Sequence, residues 1–200
     1  ITSGIQNYPD ARFALITPAH QSPLGVALSL ARRHQILEWA DRSQAWIIED
    51  DYDSEFRYHG KPLPALKSLD APRVIYAGTF SKALFPALRC AWLVVPVKQI
   101  AQFRHQASLA PCAVPVLWQN TLADFLREGH FWRHLKKMRQ HYAQRRQWIE
   151  QALTQQGFQV VPQKGGIQMV IRMIGDDIAH ARKANAAGLA VQALSDWRIR

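Results

Sequence analysis

Four short apolar runs constrain this chain more than any other feature. Phe13 to Thr17, Ala45 to Ile48, Val74 to Ala77 and Cys90 to Val95 are too short for helices and carry apolar residues on both strand faces. Between the first two lies Val26 to Ala40, which has a helical period and starts just after Gly25. A strand that is apolar on both faces must be covered twice, and helices do this in parallel sheets. The expected fold is therefore α/β, a mostly parallel sheet sandwiched by helices.

From Ile100 the character changes. Helical patterns follow one another through Gln155, with breaks near Pro111 and Pro115. Phe158 to Val161 and Ile167 to Met173 read as strands around Gly165-Gly166. Asp176 to Ala187 reads as a helix, and Leu189 to Leu194 as a further strand. We expect residues 1–125 to be part of a large domain. Residues 126–200 would be a connecting helix and an incomplete small α+β lobe. The chain opens on Ile1 rather than Met, so a fragment is expected.

The 200 residues carry a formal charge of +10. That permits attraction to anions or nucleic acid but is silent on fold. Much of the excess lies between His130 and Arg146, where Phe131, Leu135, Met138, Tyr142 and Trp148 fall near helical spacing. An amphipathic helix with a solvated basic face explains this segment better than a nucleic-acid contact, because no recognition-helix pattern accompanies it. No apolar run is long enough to span a bilayer, and no signal-peptide pattern opens the chain. Two cysteines make no disulfide framework, and Cys90 reads as a small buried hydrophobe. A cytoplasmic location is the expectation.

Two polar segments follow the apolar runs, at strand ends where α/β sheets bind ligands. One is Ile47-Ile48-Glu49-Asp50-Asp51-Tyr52-Asp53, a strand that runs into four acids and a tyrosine. Clustered carboxylates repel one another, so a partner must offset at least one. The other is Val74-Ile75-Tyr76-Ala77-Gly78-Thr79-Phe80-Ser81-Lys82, with Arg89 seven residues on. Gly78 allows close backbone approach, and Thr79, Ser81 and Arg89 are good phosphate donors. Each segment alone fits a solvated turn. Together they supply what pyridoxal 5′-phosphate (PLP) needs: an amine, an acid for the pyridine nitrogen, a donor to the phenolic oxygen, and a phosphate cradle.

On these segments the chain resembles the fold type I (aspartate aminotransferase) superfamily of PLP proteins. It is most similar to the aminotransferase-like domain of MocR-type regulators of the GntR family. Thr17-Pro18-Ala19-His20-Gln21-Ser22-Pro23-Leu24-Gly25, Ile48 to Phe56, and Gly78 to Lys82 with Pro86 and Leu88-Arg89 carry the resemblance. It implies that Lys82 forms the Schiff base and that Asp50 pairs with the pyridinium nitrogen. Tyr52 would bond the phenolic oxygen, and Thr79, Ser81 and Arg89 would hold the phosphate. Asp51, Asp53 and Glu55 are expected to be structural or interfacial. Ser22 stands where classical aminotransferases have an Asn, and His20-Gln21 matches the regulator branch. His20 is read either as a neighbour of the cofactor or as structural.

The resemblance further implies a homodimer, an amine or amino-acid ligand, and DNA binding only through an N-terminal winged-helix domain outside this chain. The Gly-rich phosphate turn and ring-stacking aromatic of the family are expected upstream of Ile1. The arginine for a substrate carboxylate is not matched to Arg198 or Arg200. Two functions stay open: a PLP-binding effector domain of a MocR/GntR-type regulator, or an active aminotransferase. A degenerate domain kept for dimerisation is a third, disfavoured by the intact acid, tyrosine, lysine and arginine set.

Overall fold

A computed structural model of the chain describes residues 1–61, 63–69, 71–110 and 114–197. Cys112, Arg198 and Arg200 lie outside the described residues. A short helix α1 (Thr2–Asn7) precedes β1 (Phe13–Ile16), α2 (Leu30–Arg42), β2 (Trp46–Asp51), β3 (Val74–Thr79) and β4 (Ala91–Val94). The sheet order is β1-β2-β3-β4. The first three strands are parallel, with Leu15 beside Ile48 and Asp50 beside Ala77. The mixed α/β fold is the one expected.

Two strand expectations need correcting in detail. The run from Cys90 to Val95 forms β4, but it lies antiparallel to β3. A parallel return needs a crossover of about a dozen residues or more, usually a helix. Residues 80–90 form a turn with one 3₁₀ segment at Pro86–Leu88 instead. Of the strands expected beyond residue 157, Gln159–Val160 (β5) and Ile171–Arg172 (β6) pair antiparallel, and residues 189–193 form no strand. A 3₁₀ turn at Leu194–Trp197 follows there.

Helix α2 starts at Leu30 rather than Val26. The Val26 carbonyl accepts from the Gln21 amide, and the Leu28 amide donates to the Pro18 carbonyl. Those backbone groups are committed to the loop, so the helix begins where Ser29 caps the Arg32 amide. Ile36, Trp39 and Ala40 of α2 then pack on Ala45, Ile47 and Val74. Ile47 is fully buried, so truncation to Ala removes about 3 kcal/mol of stability. The other sheet face carries Phe13, Leu15 and Leu93, all more than half exposed.

Three helices follow: α3 (Ile100–Leu109), α4 (Val116–Arg127) and α5 (His130–Gln155). Pro115 immediately precedes α4, as the sequence breaks suggested. On α5, Phe131 and Leu135 are buried, with Met138 and Tyr142 beside them, against Phe56 and Ala83. Trp148, also expected on that stripe, is 57% exposed. Six residues beyond Tyr142, it is rotated roughly 120° off the stripe. Arg146 holds the buried line instead, bonding the Gln168 carbonyl and Gln163 side chain. Helix α6 (Asp177–Ala186) is capped by Asp176, which accepts from the Ile178 and Ala179 amides. Among the described residues, no helix is long and apolar enough to cross a membrane.

Candidate functional site

The parallel strands end together, and the polar residues gather at that edge. Side chains alternate along a strand, so Ile47, Glu49 and Asp51 face α2 while Ile48 and Asp50 face the other way. This alternation divides the acid cluster. Glu49 is almost fully buried and accepts from the Leu66 amide at 2.8 Å and the Lys67 amide at 2.9 Å. It thereby satisfies the start of the 3₁₀ turn Leu66–Ser68. Burial raises its pKa, and the two amides pull the other way. Asp51 accepts from the Ser54 hydroxyl at 2.7 Å and the Tyr76 hydroxyl at 2.8 Å. Burial, then the Asp51 charge, raises the pKa of that tyrosine. Asp53 is buried beside His20.

Asp50 is the exception. It is half-buried, and its carboxyl has no hydrogen bond or opposite charge among the described residues. Burial, then the charges of Asp51 and Asp53, raise its pKa above the usual 3.8. A carboxyl in this condition is suited to a cation brought from outside.

On β3, Thr79 is the last strand residue, on the same face as Asp50. Its hydroxyl donates to the Ser81 hydroxyl at 3.0 Å and accepts from the Ser81 amide at 3.1 Å. Lys82 follows in the turn, exposed, and Arg89 closes it, also exposed. Neither side chain makes an ion pair or hydrogen bond among the described residues. Arg89 has φ 50° and ψ 37°, a left-handed conformation that a side chain rarely adopts. Such strain is of order 1 kcal/mol and concentrates at binding sites. The structure thus brings Asp50, Thr79, Ser81, Lys82 and Arg89 to one edge of the sheet and leaves its three charges unpartnered.

Tyr52 leaves β2 at the same edge. Its hydroxyl donates to the His20 carbonyl at 3.1 Å and lies 3.2 Å from His20 Nδ1. Burial, then Asp53, pushes its pKa up to about 12, against a hydrogen bond with Ser22. The sequence left the role of His20 open; the structure buries it, 6% exposed, in the loop after β1. Gly78 has a different job from the one expected. A Cβ there would meet the Trp92 ring at 2.3 Å, so the space is filled by Trp92 rather than kept for a ligand. Sequence reasoning also missed Arg33, which is buried and donates to the carbonyls of Pro18 at 2.8 Å, Leu28 at 2.9 Å and Pro64 at 2.6 Å. Burial lowers its pKa despite the nearby Glu49 charge. A charged residue within the α2 pattern, at the spacing of Ile36 and Ala40, was the signal available for it.

Two open cavities of about 380 and 590 Å³ lie elsewhere, at the amino ends of β2 and β3. Trp46, Lys67, Arg73 and Lys98 line the larger. Neither touches Asp50, Lys82 or Arg89. In parallel α/β sheets ligands bind beyond the carboxyl ends, so the unpaired charges are the better guide.

The sequence model of "Aminotransferase class I and II" matches residues 2–195. The chain is 45% identical over 138 residues to the probable rhizopine catabolism regulatory protein MocR of Rhizobium meliloti, covering 68% of this chain and 28% of that protein. It is 33% identical over 189 residues to the HTH-type pyridoxine biosynthesis transcriptional regulator PdxR of Corynebacterium glutamicum, covering 94% and 42%. The crystal structure of Pyrococcus horikoshii kynurenine aminotransferase, in complex with PMP, superposes with a TM-score of 0.83 at 26% identity, over 94% of this chain and 49% of that one. The chain spans less than half the length of these curated relatives.

Proposed function

Because the chain belongs to the aminotransferase class I and II family, we propose that it is the PLP-binding, aminotransferase-like effector domain of a MocR/GntR-type transcription regulator, with the cofactor held as a Schiff base on Lys82. The observation that carries this is the division of charges at the carboxyl edge. Glu49 and Asp51 accept hydrogen bonds within the chain and Asp53 is buried against His20, whereas the side chains of Asp50, Lys82 and Arg89 have no partner among the described residues. The free set contains one acid for the ring nitrogen, one amine for the aldehyde and one cation for the phosphate. When bound, PLP supplies an electrophilic carbon and an electron-withdrawing ring.

The chain's own residues do the rest. Asp50 holds a proton on the pyridine nitrogen, aided by surroundings that already favour its pairing with a cation. Tyr52 donates to the phenolic oxygen. Thr79, Ser81 and Arg89 bind the phosphate, whose dianionic charge suits an unpaired guanidinium. With an amine or amino acid bound at the site, the Lys82 side chain would stand apart from the cofactor, and its charge would add to this edge. That differential contact is the physical basis of an effector response. A homodimer, a cytoplasmic location, DNA binding through a winged-helix segment outside this chain, and the division into residues 1–125 and 126–200 belong to the same proposal. Similarity to two proteins named as regulators supports it.

The test is an absorbance spectrum of the full-length protein with added PLP. We expect a band near the violet edge of the visible that Lys82→Ala abolishes. A band that survives this change, or no band in the unaltered protein, contradicts the proposal.

A second reading, an active aminotransferase, draws on the likeness to kynurenine aminotransferase and on the exposed, unpaired Lys82 amine, which is free to move a proton. Conversion of bound PLP to PMP by an amino donor, and its return with a keto acid, would establish it. No half-reaction with common donors would leave the effector reading alone.

A further inference from the structure

His20 is a buried titratable side chain at the edge with no role in the cofactor set. Its ring is boxed in. A Cβ at Gly166 would lie 2.1 Å from His20 Cε1, and one at Gly25 would lie 2.8 Å from Nε2. Backbone therefore packs on the ring from two loops, one of them in the C-terminal lobe. That lobe is anchored nearby, since the Gly166 amide donates to the Phe56 carbonyl at 2.8 Å and Gln163 Nε2 donates to the Leu24 carbonyl at 3.1 Å. The ring cannot swing, and its Nε2 is buried without a hydrogen-bond partner.

Nδ1 faces two groups. Asp53 Oδ2 is 3.0 Å away and Tyr52 Oη is 3.2 Å away. The Asp53 oxygen is close but off the line of a ring N–H, and it remains without a hydrogen bond. Tyr52 Oη does meet the hydrogen-bond geometry. A carboxylate this near favours the proton on Nδ1 rather than Nε2. Nδ1–H then donates to Tyr52 Oη. An oxygen that accepts from a fixed donor keeps its place while its own proton is free to turn. Tyr52 at present gives that proton to the His20 carbonyl.

We propose that His20, held by Gly25, Gly166 and Asp53, is a positioning residue that fixes the Tyr52 oxygen, so that its proton can be turned toward the phenolic oxygen of the cofactor. The inference rests on the PLP reading above and adds a physical link from the C-terminal lobe, through Gly166, to the cofactor's oxygen.

Two measurements test it. In the cofactor-free full-length protein, the ¹⁵N spectrum of labelled histidine reports the tautomer, with His20→Asn assigning the signal. We expect the proton on Nδ1; a proton on Nε2 overturns the inference. In the PLP-loaded protein, the midpoint of the pH titration of the visible band reports the donor to the phenolic oxygen. Tyr52→Phe and His20→Leu should each shift that midpoint in the same direction, by on the order of one pH unit. The double variant should shift it no further than either alone, because both act through one oxygen. His20→Asn, which places an amide near the Nδ1 position, should restore most of the unaltered midpoint. If Tyr52→Phe shifts the midpoint and His20→Leu does not, the positioning role is wrong and the cofactor reading stands. If Tyr52→Phe leaves the midpoint unmoved, the cofactor reading of Tyr52 fails and the inference falls with it. Should His20→Leu not fold, the tautomer result and the His20→Asn midpoint still decide: a midpoint displaced as far as that of Tyr52→Phe counts as overturning.

Discussion

The two faces of strand β2 carry acids of opposite condition. On the α2 face, Glu49 and Asp51 are tied to backbone amides and hydroxyls within 3 Å. On the other face the carboxyl of Asp50, one residue from each, has no donor among the described residues. A run of carboxylates that reads as one cluster is therefore two populations. One holds the fold together, and the other is held in an unfavourable state by burial and like charge. Carboxyls with raised pKa are enriched at functional sites, and Asp50 meets that description.

Substitutions at these neighbouring residues should separate the two populations, all measured in the full-length protein. Glu49→Ala leaves the Leu66 and Lys67 amides buried without an acceptor and Arg33 without its nearby charge. We expect a loss of about 3 kcal/mol by urea denaturation, with or without PLP. A loss below about 0.5 kcal/mol would erase the distinction between the faces. Asp51→Ala breaks the bonds to Ser54 and Tyr76 and should lower stability by about 1–2 kcal/mol in the same assay.

Asp50→Asn should behave in the opposite way. Without PLP its stability should match or exceed that of the unaltered protein by up to roughly 1 kcal/mol. Its affinity for PLP, followed by the visible band, should fall about tenfold or more, since a charge-assisted bond is lost. Equal affinity would place Asp50 outside the site.

The smallest expected effect is one of pH, and its sign is fixed. The folded-state pKa of Asp50 lies above its usual 3.8, so the folded chain holds that proton more tightly than the unfolded chain. Ionised Asp50 thus lowers stability at neutral pH, and the penalty fades as pH falls toward 4. The advantage of Asp50→Asn over the unaltered protein should be greatest at pH 7 and shrink on acidification. Denaturation curves at the two pH values check this, and an advantage that grows toward acid would mean the pKa is shifted the other way.

Much of this arrangement was legible in the sequence because it rests on local chemistry. Apolar runs gave the strands, and the polar residues that followed them marked the edge. What escaped the reading depends on distant contacts. Nothing near Gly78 announces that Trp92 lies over it, because the two meet only once β4 turns back antiparallel. The burial of Glu49 follows from its parity with Ile47, a legible signal, but its partners at Leu66 and Lys67 lie 17 and 18 residues away. His20 needed a loop from residue 166 to become a caged group. The break of α2 at Ser29 was hidden for the same reason, since the loop bonds that claim Val26 and Leu28 are invisible to a periodicity.

The most direct measurement is to add PLP to the full-length protein, reduce it with borohydride, and locate the trapped adduct by peptide mass spectrometry. The account predicts a pyridoxyl group on Lys82 and its loss from the Lys82→Arg variant. An adduct on another lysine, or none at all, would contradict it.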